Sequence, residues 1–221
     1  MDIVTANQEE RCAKECADIM RNHLLKHTLN KFDYLLRTMK SNERIDKVVR
    51  FLEAHDIPFT MLRHDPLFTI EEGLAFWNAQ EQLQGCTHCK NLFLRNHSGK
   101  RHYLVTMECH KSLNFVQLQQ IIREGKLSFA SEERMERCLG LRPGSVSPLG
   151  LINDIDLQDA SPRELFDNGH RVKFFVDKDL HDAPMMSFHP CDNTASVALL
   201  NADFHRFLSL WGGEVEWFEM A

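Results

Sequence analysis

Apolar residues recur at three- and four-residue steps through residues 8–40: Cys16, Met20 and Leu24, then Leu25, Leu29, Phe32, Leu36 and Met39. No Pro or Gly interrupts the run, so it predicts one long amphipathic helix. Ser41-Asn42-Glu43-Arg44 carries N-cap chemistry and predicts a break. A second helix is expected from about Glu43 to His55, with Ile45, Val48, Val49 and Leu52 on one face and Asp56-Ile57-Pro58 ending it. Phe59 to Arg63 reads as a short strand, and Thr69 as the cap of a helix opening at Ile70-Glu71-Glu72. Asn91–Asn96 and Arg101–Met107 are apolar runs joined by His97-Ser98-Gly99-Lys100, a hairpin signal.

Helices are expected over Phe115–Arg123 and Ser131–Leu139, the second favoured by Glu132 and Glu133 in its first turn. Ser147–Ile152 reads as a strand, and Ser161-Pro162 as the start of a short helix, since Pro suits the first helical position. Val172–Val176, Met185–His189 and Val215–Phe218 predict strands, with a helix over Ala202–Trp211 stopped by Gly212-Gly213. The alternation predicts a mixed α/β body without internal repeats. The boundary expected near residue 41 divides an N-terminal helical extension, 1–41, from the body, 42–221.

Composition narrows the classes. Hydrophobic residues are 43 % of the 221, enough for a sizeable core, and charged residues are 26 %. The net charge of −6 argues against a general nucleic-acid coat protein, which needs clustered Lys and Arg. It leaves room for a protein that grips only the end of an RNA. The first 50 residues are basic and the rest acidic, consistent with one RNA-facing side or with a solvated helix face. No apolar run approaches the ~20 residues of a membrane span. The polar N-terminus and seven scattered cysteines predict a reducing, cytoplasmic setting with free thiols.

Cys86-x-x-Cys89 is half of a zinc site, but a structural site needs four ligands and no second pair exists; His97, His102, Cys109 and His110 lie nearby at no familiar spacing. Neither a metal nor a cofactor is therefore expected. Cys191 stands two residues after His189, a spacing that rarely gives base-to-nucleophile contact. No Gly-rich phosphate loop occurs, and no G-x-S-x-G elbow. Three features remain. Lys90 opens the apolar run Asn91-Leu92-Phe93-Leu94 and is either a fixed charge in a cleft or a snorkelling edge lysine. Gly144-Ser145-Val146-Ser147-Pro148 offers backbone groups in a rigid frame, with Gly144 permitting close approach. Phe188-His189-Pro190 puts a His and then Asn193 at a strand end.

Taken in order, these blocks resemble the YbaK/ProX superfamily of editing domains that deacylate mischarged proline tRNA. The resemblance rests on His64-x-Pro66-x-Phe68-Thr69-x-Glu71-Glu72, Lys90-Asn91-Leu92-Phe93-Leu94, Leu127-Ser128-Phe129-Ala130-Ser131, Leu139-Gly140-Leu141-x-Pro143 through Asp154, and Phe188-His189-Pro190-x-x-Asn193-Thr194-Ala195. It spans about residues 43–220; residues 1–40 fall outside it. The intact Lys-Asn-Leu-Phe-Leu string with Phe-His-Pro looks most like the freestanding deacylases that clear Ala-tRNA(Pro).

The resemblance implies a barrel-like mixed sheet flanked by helices and a trans-editing hydrolase acting at the acceptor end of tRNA(Pro), with prolyl-tRNA synthetase as a partner. It implies Lys90 as the essential lysine at the substrate's 3′ end and Asn91 as the group orienting ester or water. His64, Phe68 and Thr69 would bind substrate. The Gly144, Ser145, Val146, Ser147 and Pro148 loop would hold the aminoacyl group, with Asn193 beside it and His189 setting the pocket's size. The same chemistry on a Cys, Ser, Thr or 2-aminobutyryl ester is the alternative, and a non-catalytic module binding tRNA or a synthetase is another. The N-terminal helix is read as packing on the body or on a second copy, giving a homodimer, ahead of its Lys14, Arg21, Lys26, Lys31 and Arg37 touching tRNA.

Overall fold

The computed structural model describes residues 38–155, 157 and 160–220. The helix predicted over residues 8–40, its basic side chains and the dimer reading lie outside these residues, apart from 38–40. Residues from Arg44 onward belong to one compact unit.

Residues 38–54 are continuously helical (α1), so the break expected at Ser41–Arg44 does not occur. Cap-type residues stop a helix only where the backbone also turns. Ile45, Val48 and Leu52 are fully buried along its apolar stripe. It ends where Asp56 enters the left-handed region at φ 51 and the Ile57 N–H returns to the Leu52 carbonyl.

The remaining elements are β1 (Thr60–Arg63), α2 (Ile70–Asn78), β2 (Thr87–Asn96), β3 (His102–Glu108), α3 (Phe115–Ile122), β4 (Leu127–Phe129), α4 (Glu132–Leu139), β5 (Val172–Asp177), β6 (Met185–Phe188), β7 (Ala195–Leu200), α5 (Asn201–Trp211) and β8 (Val215–Phe218). The eight strands follow the order β1-β7-β6-β2-β3-β5-β8, with β4 also on β2. The hairpin, the helices and the mixed sheet agree with the sequence pattern. No helix among the described residues is long and apolar enough to cross a membrane.

Strand β3 is buried on both faces, as an interior strand must be. On one face Phe93, Leu104, Phe174 and Val176 pack against α1, α4 and α5. On the other, Leu94, Tyr103, Val105 and Phe175 pack against Leu118 and Ile122 of α3.

One element differs from the sequence pattern. Ser147–Ile152 is not a strand: Pro148–Asn153 forms a 3₁₀ helix. The Ser147 hydroxyl accepts from the Leu149 N–H, and Pro148 takes the first helical position. A short, fully buried apolar run looks alike in either conformation when only periodicity is read. β2 also starts at Thr87, so Lys90 is its fourth residue rather than its first. Strands β4 and β7 were not anticipated; both belong to segments first noted for their motifs.

The strand that matters most is β2. Its whole length from Cys89 to Arg95 pairs β3 along one edge. On the other edge Thr87 and His88 pair β6, while Leu94 to Asn96 pair β4. Between these two short ladders the edge is left unpaired from Cys89 to Leu92, and the Phe93 carbonyl accepts from the Ala130 N–H.

Candidate active site

A cavity of about 270 Å³ opens at that gap. It is lined by Leu67 to Ile70 ahead of and entering α2, Trp77 at the end of α2, Cys89 to Asn91 of β2, Gly144 and Val146 of the loop before the 3₁₀ helix, and His189 after β6. Five sequence-distant segments meet there, and each is held by identifiable chemistry.

Helix α2 is anchored by a capping box. Thr69 Oγ1 accepts from the Glu72 N–H at 3.1 Å, and the Glu72 carboxylate accepts from the Thr69 and Phe68 N–H groups at 3.4 and 2.7 Å. The box fixes the chain at the cavity mouth, where Phe68 is 77 % exposed. Gly73 makes room for Trp77, since a Cβ there would lie 2.6 Å from the indole ring.

Trp77 is fixed at its other end by a residue that no motif pointed to. Its Nε1–H donates to the Ser196 hydroxyl at 2.9 Å, and Ser196 is fully buried on β7. The same hydroxyl lies 3.0 Å from His64 Nε2. His64 Nδ1 is 2.8 Å from the Asp65 carbonyl, which can only accept. In its neutral form the ring therefore carries its proton on Nδ1 and receives the Ser196 O–H at Nε2. Trp77 also stacks on His88 with centroids 4.3 Å apart.

His189 is oriented the same way. Its Nδ1 donates to the Ala195 carbonyl at 2.9 Å, leaving Nε2 as an acceptor in the neutral form. Burial, opposed by the Ala195 carbonyl and reinforced by the neighbouring His64, holds its pKa below the ordinary 6.5. The turn after it is closed by the Cys191 N–H bonding back to the His189 carbonyl and by Asp192 accepting from Thr194.

Asn91 and Thr106 face each other across the β2–β3 ladder. The Thr106 hydroxyl donates to Asn91 Oδ1 at 2.6 Å, so the amide NH₂ is the end left to point elsewhere. Lys90 leaves the strand on the opposite face. Its Nζ donates to the Cys109 carbonyl at 3.2 Å and to the Lys111 carbonyl. Two of three ammonium hydrogens are thereby engaged by neutral acceptors, and the charge itself is not cancelled.

The Gly144–Pro148 loop divides in two. Gly144, at φ +83, and Val146 line the cavity. Ser145, Ser147 and Pro148 are buried behind it, with Ser145 Oγ bridging the N–H and C=O of Arg142. Asn193 likewise stands behind the rim, its side chain reaching the Leu67 carbonyl at 3.4 Å. Of the anticipated residues, Phe68, Thr69, Lys90, Asn91, Gly144, Val146 and His189 line the cavity, whereas His64, Ser145, Ser147, Pro148 and Asn193 support it. Trp77, Thr106 and Ser196 were missed: Trp77 and Ser196 belong to no local pattern of catalysis, and Thr106 acts only through strand register.

Among the described residues the cysteines offer no nucleophile. Burial pushes the thiols of Cys86, Cys109 and Cys191 up to about 12 and Cys138 to about 11, and raises Cys89 as well, so all five stay protonated at neutral pH.

Comparison with known proteins places the same segments in a family. The aminoacyl-tRNA editing domain family matches residues 64–207, a span that contains every segment of the cavity. The prolyl-tRNA editing protein ProX of Acetoanaerobium sticklandii is 32 % identical over 174 residues, covering 78 % of this chain and 95 % of that protein. The prolyl-tRNA synthetase associated domain-containing protein 1 of Mus musculus is 29 % identical, covering 79 % of this chain and 95 % of that protein. A crystal structure of a candidate trans-editing enzyme for prolyl tRNA synthetase shares the fold, with a TM-score of 0.54 at 18 % identity over 82 % of this chain and 98 % of that one. The chain belongs to the aminoacyl-tRNA editing domain family.

Proposed function

We propose that this protein removes alanine from mischarged proline tRNA, acting in trans in the cytoplasm. As an editing-domain protein the chain is an aminoacyl-tRNA hydrolase, and its similarity to ProX points to proline tRNA as the nucleic acid. The observation that carries the finer reading is the cavity itself. At about 270 Å³ it is small beside the ~300–1,000 Å³ of ordinary ligand pockets, a size for an aminoacyl head rather than a whole nucleotide.

In this reading the 3′ end enters past Phe68, whose exposed ring suits stacking on a terminal base. The Gly144–Val146 backbone holds the aminoacyl group. Water attacks the ester carbonyl, with a ribose hydroxyl of the substrate assisting. The acyl C–O bond breaks, the ribose oxygen takes the proton, and free amino acid leaves. Lys90 sets positive charge beside the developing oxyanion and the terminal phosphate, and Asn91 orients ester or water through its amide NH₂. His189, immobilised by Ala195, is the wall that proline meets and alanine does not. Prolyl-tRNA synthetase is the partner from which substrate is collected.

The test is deacylation of Ala-tRNA(Pro) beside Pro-tRNA(Pro), Cys-tRNA(Pro) and Ala-tRNA(Ala). Loss of alanine from proline tRNA alone supports the reading. Hydrolysis of the cysteinyl ester instead moves the specificity and keeps the class. No hydrolysis of any ester refutes the enzyme and leaves a binding module.

A further inference from the structure

Cys86-x-x-Cys89 plays no part in the chemistry above, yet the fold brings it to a second group of metal-type ligands. β3 ends in Glu108, and the next two residues turn away as Cys109 and His110. Their donor atoms converge. Cys109 Sγ lies 3.3 Å from Glu108 Oε1 and 3.3 Å from His110 Nδ1, and these last two atoms are 2.6 Å apart. All three fall within 4.8 Å of one another, as no other group of three His, Cys, Asp or Glu side chains does among the described residues.

The thiol pair at the start of β2 lies across from β3. Cys89 is the direct cross-strand partner of Glu108, and the Cys109 N–H donates to the His88 carbonyl at 3.0 Å, locking the turn to β2. Cys86 Sγ and Cys89 Sγ lie 4.0 and 3.8 Å from the same Thr87 carbonyl.

The geometry points to a site for a zinc-class divalent cation, held by Glu108, Cys109 and His110 with the fourth position left to water. Zinc bonds of ~2.0 Å to N or O and ~2.3 Å to S make tetrahedral edges of ~3.3–3.6 Å. The two sulfur edges already have that length, and the third lengthens once the metal replaces the His110–Glu108 hydrogen bond. Thiolate with imidazole selects zinc-class ions over magnesium or calcium, which prefer oxygen. Its position gives the site a consequence. Lys90 donates to the carbonyls of Cys109 and Lys111, one within the proposed ligand turn and one just after it, so the ion would brace the acceptors that hold Lys90.

The test is a cobalt(II) titration of the reduced full chain, stripped with chelator and desalted. Near-stoichiometric binding with a thiolate-to-cobalt charge-transfer band and intense tetrahedral visible bands, displaced by zinc, is the expected result. Cys109→Ser should abolish these bands and His110→Ala should weaken binding at least tenfold, while Cys138→Ser, in α4, should leave both unchanged. Circular dichroism establishes whether each variant is folded. Should Cys109→Ser fail to fold, the exposed His110→Ala decides alone. Absence of the bands in wild type, or their survival undiminished in His110→Ala, overturns the site.

Discussion

The two walls of the cavity are built on different principles. The wall formed by α2 and the turns after β1 and β6 is aromatic: His64 is held by the Asp65 carbonyl and the Ser196 hydroxyl, Trp77 by the same hydroxyl, and His189 by the Ala195 carbonyl. The wall of β2 carries charge and a free amide, Lys90 held by carbonyls and Asn91 held by Thr106. A rigid aromatic surface can measure shape. A cation seated on neutral acceptors can answer charge that appears only during reaction. Under the proposed function, selection falls to the first wall and rate to the second, and the comparison can be broken from either side.

Loss of the charged wall should cost most. Lys90→Ala is expected to lower kcat by about 10²–10³-fold, the scale of removing one transition-state partner. Single-turnover deacylation reads this directly; substantial activity in the variant refutes the role of Lys90. On the aromatic wall, Ser196→Ala leaves the Trp77 N–H and His64 Nε2 without their shared partner. A loss of about 1–3 kcal/mol in stability is expected from chemical denaturation, with kcat reduced far less than in Lys90→Ala. His189→Ala should change the ratio of kcat/KM for alanyl over prolyl ester roughly tenfold toward proline while leaving folding intact. An unchanged ratio moves the steric wall elsewhere.

The smallest effect is a pH dependence of stability. Burial lowers His88 and His102 to about 4 from 6.5, with nearby charge adding to the shift: His110 for His88, Arg134 for His102. Between these values the unfolded chain binds more protons than the folded one. Stability from these residues is therefore full above pH 6.5 and lost as pH falls toward 4. Asp154 has the opposite sign: burial raises it to about 6 from 3.8, so its contribution is lost as pH rises through that interval. Urea midpoints between pH 4 and 7 should show a shallower acid-side loss in His102→Gln than in wild type; an identical slope removes His102 from this account.

Local patterns carried much of this molecule. The capping box at Thr69 and Glu72, the His97–Lys100 hairpin and the amphipathic faces of α1, α4 and α5 follow from nearest-neighbour chemistry, so sequence spacing alone determined them. The motif blocks likewise identified Lys90, Asn91, Gly144, Val146 and His189 as one site. Three things only the tertiary structure decided. The 3₁₀ turn at Pro148–Asn153 depends on complete burial, which periodicity does not report. The roles of Trp77, Thr106 and Ser196 depend on register across strands, where residue i faces a partner unrelated in sequence. The gap on β2, where the cavity opens and beside which Cys89 faces Glu108 across the ladder, exists because β6 and β4 share one edge without meeting. Hydrogen-bonding capacity along that edge is the same at every residue, and only the packed arrangement of the other strands determines which residues are left uncovered.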